Sequence, residues 1–275
     1  MARAPLGRLT HALCLASGIA AAACGPTRLT LPTDAGAPLT NLADVHAQVS
    51  RACRGVRTFT AELALTGHAG RTRLRGRVVA GFERPASMRL EGVAPFGPPA
   101  FILVSRGGEA TLLLPRDERV LAGASPQDVL GALTGVSLAP ADLHAILTGC
   151  VVPDPAPRGG RVHANGMASI DLDGGAVLYL ARVNGTWQPR AATRQGWDVQ
   201  YANWQGDFPR TVTLRSMAGG LDVELSAAVS QLEANVPLEA AAFAVDVPAA
   251  TKRLTLDELR EAGPLRDASP AGGQQ

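Results

Sequence analysis

Alternation of apolar and polar residues from Thr58 onward constrains this chain most, because a side-chain period of two is the pattern of a half-buried β-strand. One face of the first alternating segment is apolar and carries Phe59, Ala61, Leu63 and Leu65. Gly67 and Gly70 then bracket a turn, and the segment that follows alternates again. The pattern therefore predicts an antiparallel hairpin with one buried face.

The return strand of this hairpin is strongly basic on its polar face. Opposite Leu74, Val78 and Phe82 it carries four arginines: Arg71, Arg73, Arg75 and Arg77. Such a row is typical of the wet side of an antiparallel sheet. A site for anionic lipid or lipid A is the alternative that the sequence leaves open.

Most of the remaining chain is also predicted to form short β-strands, with a few helices between them. Further strands are predicted at 87–93, 100–105, 109–114, 119–121, 168–172, 176–182, 187–194, 199–204, 210–215 and 221–235. Helices are predicted at 39–54, from Ser125, from Pro140 to near Gly149, and at 256–262, and the Pro- and Gly-rich stretch 152–160 is predicted to be a loop. Since neither half has enough helix to cover its own sheet, we expect an α+β domain at 39–262 with one continuous antiparallel sheet, followed by a disordered tail at 263–275.

The first 24 residues have the layout of a bacterial export signal. Arg3 and Arg8 form a short basic front, and a mostly apolar run from 9 to 23 ends in small residues directly before Cys24. That run is too short to span a bilayer comfortably. We therefore predict a lipoprotein signal peptide at 1–23, acylation of Cys24 as the lipid anchor, and a flexible tether at 24–38. An ordinary cleaved signal peptide is the alternative.

Charge and motifs argue against nucleic acid, metal and catalysis. The formal net charge is +2 and 18% of the residues are charged, whereas phosphate binding needs a concentrated basic excess. The histidines beyond the predicted signal lack zinc-ligand spacing: His46, His68, His144 and His163. The sequence contains no nucleophile elbow, phosphate-binding loop or dinucleotide fingerprint. We expect no enzyme activity, metal, cofactor or nucleic-acid partner.

Besides the predicted anchor Cys24, two cysteines remain after the predicted signal peptide, Cys53 and Cys150. In an oxidising periplasm such a pair is a candidate disulfide. Two buried free thiols are the alternative that the sequence does not exclude.

An aromatic residue stands between prolines in the loop that joins two predicted strands. Phe96 follows Pro95 and precedes Gly97, with two more prolines directly after. A large ring held in such a loop either projects outward, to meet a membrane or a partner, or folds back over the sheet edge. The sequence leaves both possibilities open.

The order of these elements resembles the LolA/LolB family of lipoprotein carriers and receptors. The segment Ala94-Pro95-Phe96-Gly97 matches a loop of the outer-membrane receptors of that family, LolB, in which an apolar residue inserts into the membrane, with Phe in place of Leu. The stretch 238–248 is similar to the family's C-terminal phrase, in which a Phe and a Pro bracket the last strand. The resemblance covers roughly 39–248 and is closest to the outer-membrane receptor.

The resemblance implies a curved antiparallel sheet, an incomplete β-barrel, with helices covering its concave side and an apolar hollow between. The candidates for the inner face are Phe59, Leu63, Leu65, Leu74, Met88 and Leu90. Such a hollow suits acyl chains, since each buried methylene contributes about 0.8 kcal/mol. The alternative is that these residues pack against the helices as a dry core.

The function that the resemblance implies is lipoprotein delivery. We expect a monomer anchored by Cys24 to the outer membrane and facing the periplasm, which accepts lipoprotein acyl chains from a periplasmic carrier and inserts them with the help of Pro95, Phe96 and Gly97. The alternative is a sensor or scaffold lipoprotein of the same fold that binds lipid or protein without delivering it.

Overall fold

The computed structural model describes residues 29–266 apart from residues 195, 217–219 and 221. Its main feature is one large sheet. Cys24, the predicted signal peptide at 1–23 and residues 267–275 of the predicted tail lie outside these residues. The described strands are β1 (Ala37–Pro38), β2 (Thr58–Ala69), β3 (Thr72–Glu83), β4 (Ser87–Val93), β5 (Phe101–Arg106), β6 (Glu109–Leu114), β7 (Arg119–Ala124), β8 (Pro157–Val162), β9 (Ala168–Leu172), β10 (Val177–Val183), β11 (Thr186–Arg194), β12 (Trp197–Ala202), β13 (Thr211–Ser216), β14 (Val223–Ala234) and β15 (Lys252–Arg253). The described helices are α1 (Leu42–Gly55), α2 (Pro126–Thr134), α3 (Pro140–Leu147) and α4 (Leu256–Ala262).

The strand order is β1-β8-β9-β10-β11-β12-β13-β14-β2-β3-β4-β5-β6-β7-β15. All neighbours pair antiparallel except β7 and β15, which pair parallel. In the described part of the chain the sheet has two edges, β1 and β15, and does not close. The predicted α+β class with a single open, incomplete barrel is therefore confirmed, with one parallel pair added at an edge.

The central hairpin has the alternation that its sequence predicts. Leu63 of β2 and its cross-strand partner Val78 of β3 are both buried. Arg73 and Arg75 lie on the opposite face of β3 and are exposed. Side chains of a strand point alternately to the two faces, so the apolar set shares the concave side and the arginines share the convex side.

Capping groups define helix α2. Ser125 Oγ accepts a hydrogen bond from the backbone N–H of Asp128 at 3.1 Å, and Pro126 occupies the first turn, where no N–H is required. Gly135 ends the helix in the left-handed region at φ 81° and donates its N–H to the Gly131 carbonyl at 2.9 Å. The helix is thus fixed at both ends.

Helices α2, α3 and α4 close over the main hydrophobic core, and α1 covers a smaller one. The main core joins Leu133 of α2, Leu147 of α3 and Leu259 of α4 to the inner faces of the central strands. The smaller core places Val45 of α1 against Ile170 of β9 and its neighbours. The helices therefore lie on the concave side, as predicted.

The predicted loop at 152–160 is wrong in its second half. Residues from Pro157 onward form strand β8, which pairs with β1 on one side and β9 on the other. Proline is tolerated near a sheet edge because the ladder there needs fewer N–H donors. The extra strand extends the sheet beyond the predicted ladder.

Regular structure also extends past both predicted domain boundaries. Ala37–Pro38 at the end of the predicted tether forms β1, and the Leu39 N–H donates to the Gly160 carbonyl at 2.9 Å. At the other end, Leu265 of the predicted tail is buried, and its carbonyl accepts the N–H of Arg75 at 2.9 Å. Backbone hydrogen bonds to the sheet hold both segments.

Candidate functional site

An apolar cavity of about 120 Å³ lies between the concave face of the sheet and helices α2 and α3. Its wall comes from strands β2, β3, β4, β5, β13 and β14, from the two helices and the residues that join them, and from the segment after α4. The lining residues are Leu63, Leu65, Val78, Phe82, Leu90, Phe101, Leu130, Leu133, Thr134, Val136, Leu138, Leu143, Ile146, Leu147, Val212, Leu214, Leu225, Ala227 and Leu265.

The wall offers a ligand almost nothing polar. Thr134 is the one polar side chain among the described lining residues, and its hydroxyl donates to the Leu130 carbonyl at 2.8 Å. The same oxygen accepts the N–H of Val136 at 3.2 Å. Burial of an unpaired polar group costs a few kcal/mol, so this cavity selects for hydrocarbon.

The six predicted inner-face residues divide into two groups. Three of them lie in the cavity wall: Leu63, Leu65 and Leu90. The other three are buried in the main core without lining the cavity: Phe59, Leu74 and Met88. Phe59 stacks on Phe82 with ring centroids 4.7 Å apart, which places it behind the wall.

Sequence reasoning missed the helical and C-terminal parts of the wall. Leu130 and Leu133 lie one turn apart on α2, and Leu143 and Ile146 do so on α3. This spacing is the signal of an apolar helix face, and it identifies these residues as inward-facing. It does not identify which strands they face.

The loop between β4 and β5 holds Phe96 in solvent. The ring is 88% exposed, the largest exposure among the large apolar side chains described. Gly97 lies in the left-handed region at φ 75°, which favours glycine. Arg116 donates to the carbonyl of Phe96 and, at 3.3 Å, to that of Pro98. These bonds brace the loop with the ring outward, so the ring does not fold back over the sheet edge.

Cys53 and Cys150 form a disulfide, with their Cα atoms 5.9 Å apart. The bond joins α1 to the residues just after α3, and both cysteines are buried. Tyr201 donates its hydroxyl to the Cys150 carbonyl at 3.1 Å. The bond thus ties a cavity-lining helix to the helix over the smaller core.

A polar cluster that the sequence did not reveal lies near the β1 edge. His163 Nε2 is 2.9 Å from Ser169 Oγ, and His163 Nδ1 is 3.4 Å from Asp34 Oδ1, an order of groups similar to a hydrolase triad. Ser169, however, is only 5% exposed. The Asp34 carboxylate also accepts the N–H groups of Gly36 and Ala164, each at 3.2 Å. The cluster fastens residues 34–36 to the sheet.

Neither a metal-binding cluster nor a membrane-spanning helix is present in residues 29–266, apart from the five residues within that range that are not described. Among these described residues, no group of three or more His, Cys, Asp or Glu side chains is arranged to hold a metal ion. No helix in this part of the chain is long and apolar enough to cross a membrane.

The comparisons with known proteins give only distant structural likenesses. No protein-family model and no curated protein matches the sequence. A LolA superfamily protein from Nitrosomonas europaea is 11% identical, with a TM-score of 0.49 over 73% of this chain and 97% of that one. A DUF1329 family protein from Desulfovibrio piger is 12% identical, with a TM-score of 0.49 over 75% and 97%.

A third solved structure is described as an outer membrane lipoprotein-sorting protein domain from Vibrio parahaemolyticus. It is 15% identical to this chain, with a TM-score of 0.45 over 73% of this chain and 94% of that one. Identities and TM-scores this low do not assign the chain to a family. The resemblance to the LolA/LolB family therefore stays a prediction from the sequence.

Proposed function

We propose that this protein binds acyl chains of lipoproteins in the apolar cavity and that it is not an enzyme. The observation that carries the proposal is the chemistry of the wall, in which the hydroxyl of Thr134 is already bonded and every other lining side chain is a hydrocarbon. Such a wall recognises a ligand by hydrophobic burial alone.

The size of the cavity limits how much of an acyl chain it can hold. An apolar cavity of roughly 150 Å³ in another protein stays dry and binds benzene, and the present cavity of about 120 Å³ is of that order. It therefore accommodates a short hydrocarbon segment as it stands. A complete acyl chain is longer than this cavity, so part of it lies outside unless α2 and α3 move away from the sheet.

The second half of the proposal is delivery at the outer membrane. Acylated Cys24 anchors the protein, a monomer, to the periplasmic side of that membrane, and a periplasmic carrier supplies the cargo. The exposed ring of Phe96 supports this step, because an aromatic side chain that leaves water for lipid contributes about 1.5–3 kcal/mol. A single ring holds a membrane weakly, so the lipid anchor provides the lasting attachment.

Substitution Phe96→Glu tests the delivery step, and Val247→Glu is the matched control. Val247 is another exposed apolar residue, at 42%, so the same charge is added at a position outside the loop. We expect both variants to unfold at the wild-type temperature and to bind acyl chains. Only Phe96→Glu slows the transfer of an acylated lipoprotein from carrier to vesicles of outer-membrane composition.

Native mass spectrometry of the soluble Cys24→Ala protein tests the binding step independently. We expect acyl lipids to co-purify with it and to be released by organic extraction. Absence of lipid, together with no uptake of added fatty acid, would eliminate acyl binding. Co-purification with the periplasmic domain of a signalling protein would then favour the sensor or scaffold alternative.

In the transfer experiment, a wild-type transfer rate in Phe96→Glu would eliminate only the proposed role of the loop.

A further inference from the structure

A second pocket, of about 130 Å³, lies on the other side of α3 from the apolar cavity. We call it the arginine pocket, after Arg54 at the end of α1 and Arg84 in the turn between β3 and β4. His144 of α3 and Asp154 line it as well, and the Cys53–Cys150 disulfide forms part of its wall.

The charges that line the arginine pocket leave it one positive charge in excess. Its described lining residues include two guanidinium groups and one carboxylate, Asp154, which contacts Arg84 Nη2 at 2.6 Å. Arg54 donates to the Pro155 carbonyl at 3.1 Å, and Arg84 donates to the Arg54 carbonyl at 3.4 Å. A guanidinium has more N–H donors than these contacts use. Both arginines can therefore bond an additional acceptor.

His144 is a buried polar group without a partner in this pocket. The residue is 5% exposed, and its Nε2 atom has no hydrogen-bond partner among the described residues. Burial, together with the positive charge of Arg84, lowers the pKa of His144 to about 4, so the ring is neutral near pH 7. An unpaired buried nitrogen is costly, and native proteins usually satisfy such a group with a protein partner, an ordered water or a ligand.

Prolines and a disulfide restrict the backbone around the pocket. Pro85, Pro153 and Pro155 stand in its wall beside the disulfide, and these groups have little conformational freedom to lose. The ring of His144 packs edge-on against Phe59 at 5.1 Å between centroids. A preformed site loses less entropy when it binds a small ligand.

Helix α3 separates the two pockets. Leu143, Ile146 and Leu147 face the apolar cavity, whereas His144 lines the arginine pocket. Phe82, which lines the apolar cavity, lies 6.4 Å from the His144 ring between centroids. One wall therefore serves both sites.

We propose that the arginine pocket binds a singly charged anionic group, a carboxylate or a phosphate diester, held by Arg54, Arg84 and the Nε2–H of His144. The anion is either the polar end of the amphiphile whose chain fills the apolar cavity or a free small anion. The first source rests on the proposed function, and the second does not.

The test is a titration of the full chain, labelled with ¹⁵N-histidine, with acetate, dimethyl phosphate, laurate and methyl laurate. The chain has five histidines, so the His144 signal is assigned from a His144→Phe variant. We expect at least one anion to shift the Nε2 resonance of His144 saturably, while chloride at equal ionic strength does not. Arg84→Gln should weaken that binding about tenfold or more, because hydrogen bonds to charged groups are the strong ones.

Arg77→Gln is the matched control, since Arg77 forms an exposed ion pair with Glu62 at 2.9 Å, outside the pocket. If Arg84→Gln does not fold, His144→Phe replaces it, because it retains an aromatic ring beside Phe59 and loses the nitrogen. Calorimetry then measures binding. The proposal is overturned if no anion gives a saturable effect, or if Arg84→Gln and Arg77→Gln bind equally well.

The remaining arms separate the sources of the anion. Acetate or dimethyl phosphate that binds as tightly as laurate identifies a free anion. Laurate that binds far more tightly than acetate, with no His144 shift from methyl laurate, identifies the polar end of an amphiphile. Occupancy of the apolar cavity is followed separately with neutral alkanols. An acetate response in a protein that binds no alkanol would refute the proposed function and leave this inference intact.

Discussion

Truncation of one leucine in the cavity wall should change which hydrocarbon chains fit. Leu133 of α2 is 4% exposed and lines the apolar cavity. Leu133→Ala should lower the free energy of unfolding by about 2–5 kcal/mol, the usual range for a buried leucine. The same change makes room for about two more methylene groups, which at about 0.8 kcal/mol each is roughly a 15-fold gain in affinity for the longer chains.

The assay is calorimetric titration with a series of neutral n-alkanols of increasing length, which have no charge for the arginine pocket to bind. For the wild type we expect affinity to rise about fourfold per methylene until the cavity is full and then to level off. In Leu133→Ala the levelling point moves to longer chains. Leu112→Ala is the matched control, because Leu112 is fully buried in the same core without lining the cavity.

The result that refutes this reasoning is an identical chain-length profile in all three proteins. A shift in Leu112→Ala equal to that in Leu133→Ala would refute it as well, because general loosening of the core would then explain the change. Equilibrium unfolding of each protein without ligand checks that the two substitutions destabilise by similar amounts.

Two further predictions concern stability. Replacing Cys53 and Cys150 together by Ala opens a loop with a sequence separation of 97 residues and should lower the free energy of unfolding by about 4.7 kcal/mol in the chain-entropy model; equal denaturation midpoints for this variant and the oxidised wild type would contradict that. Glu258 of α4 has its pKa lowered to about 2, first by the side chain of Arg119 and then by the hydrogen bonds of Thr255. Its contribution to stability is therefore complete above about pH 4.5 and is lost as the pH falls toward 2. Urea unfolding followed by circular dichroism should therefore give a lower midpoint for Glu258→Gln than for the wild type at neutral pH, and the two midpoints should converge as the pH falls toward 2; an equal gap at every pH would contradict this.

Alternation in the sequence was sufficient to locate most of the sheet. Strands β4 and β6 begin and end at the residues predicted for them, 87–93 and 109–114. In both, the buried side chains recur at every second position for part of the strand, and turn residues lie on either side. A local pattern with local boundaries is what sequence reasoning detects well.

Strand β8 was not predicted, because its glycine at position 160 is required by a tertiary contact and not by a turn. A Cβ on Gly160 would lie 2.9 Å from Leu42 Cδ1 and 3.1 Å from Leu39 Cβ, so glycine there lets α1 approach the strand backbone. In the sequence the same glycine is indistinguishable from a loop residue. Its role is apparent only from the helix that lies against it.

The cavity wall was only half predictable for a related reason. Leu63 and Leu65 share a face of β2, and alternation alone places them inside. Their neighbours in the wall from β14, Leu225 and Ala227, become neighbours only because β14 pairs with β2. Pairing between strands so far apart along the chain leaves no local signal, and it decides which buried residues border empty space.

The pairing of β14 with β2 also affects how the chain folds during its synthesis. Strand β2 is synthesised early, but β14, which pairs with it, begins only at Val223. One edge of the central hairpin β2–β3 therefore stays unpaired until nearly all of the chain has been synthesised. An unpaired strand edge can pair with a strand of another molecule, and contacts between residues so distant in sequence form slowly. We therefore expect nascent molecules to need a holding chaperone, and C-terminal truncations that stop short of residue 223 to aggregate instead of folding as smaller half-barrels.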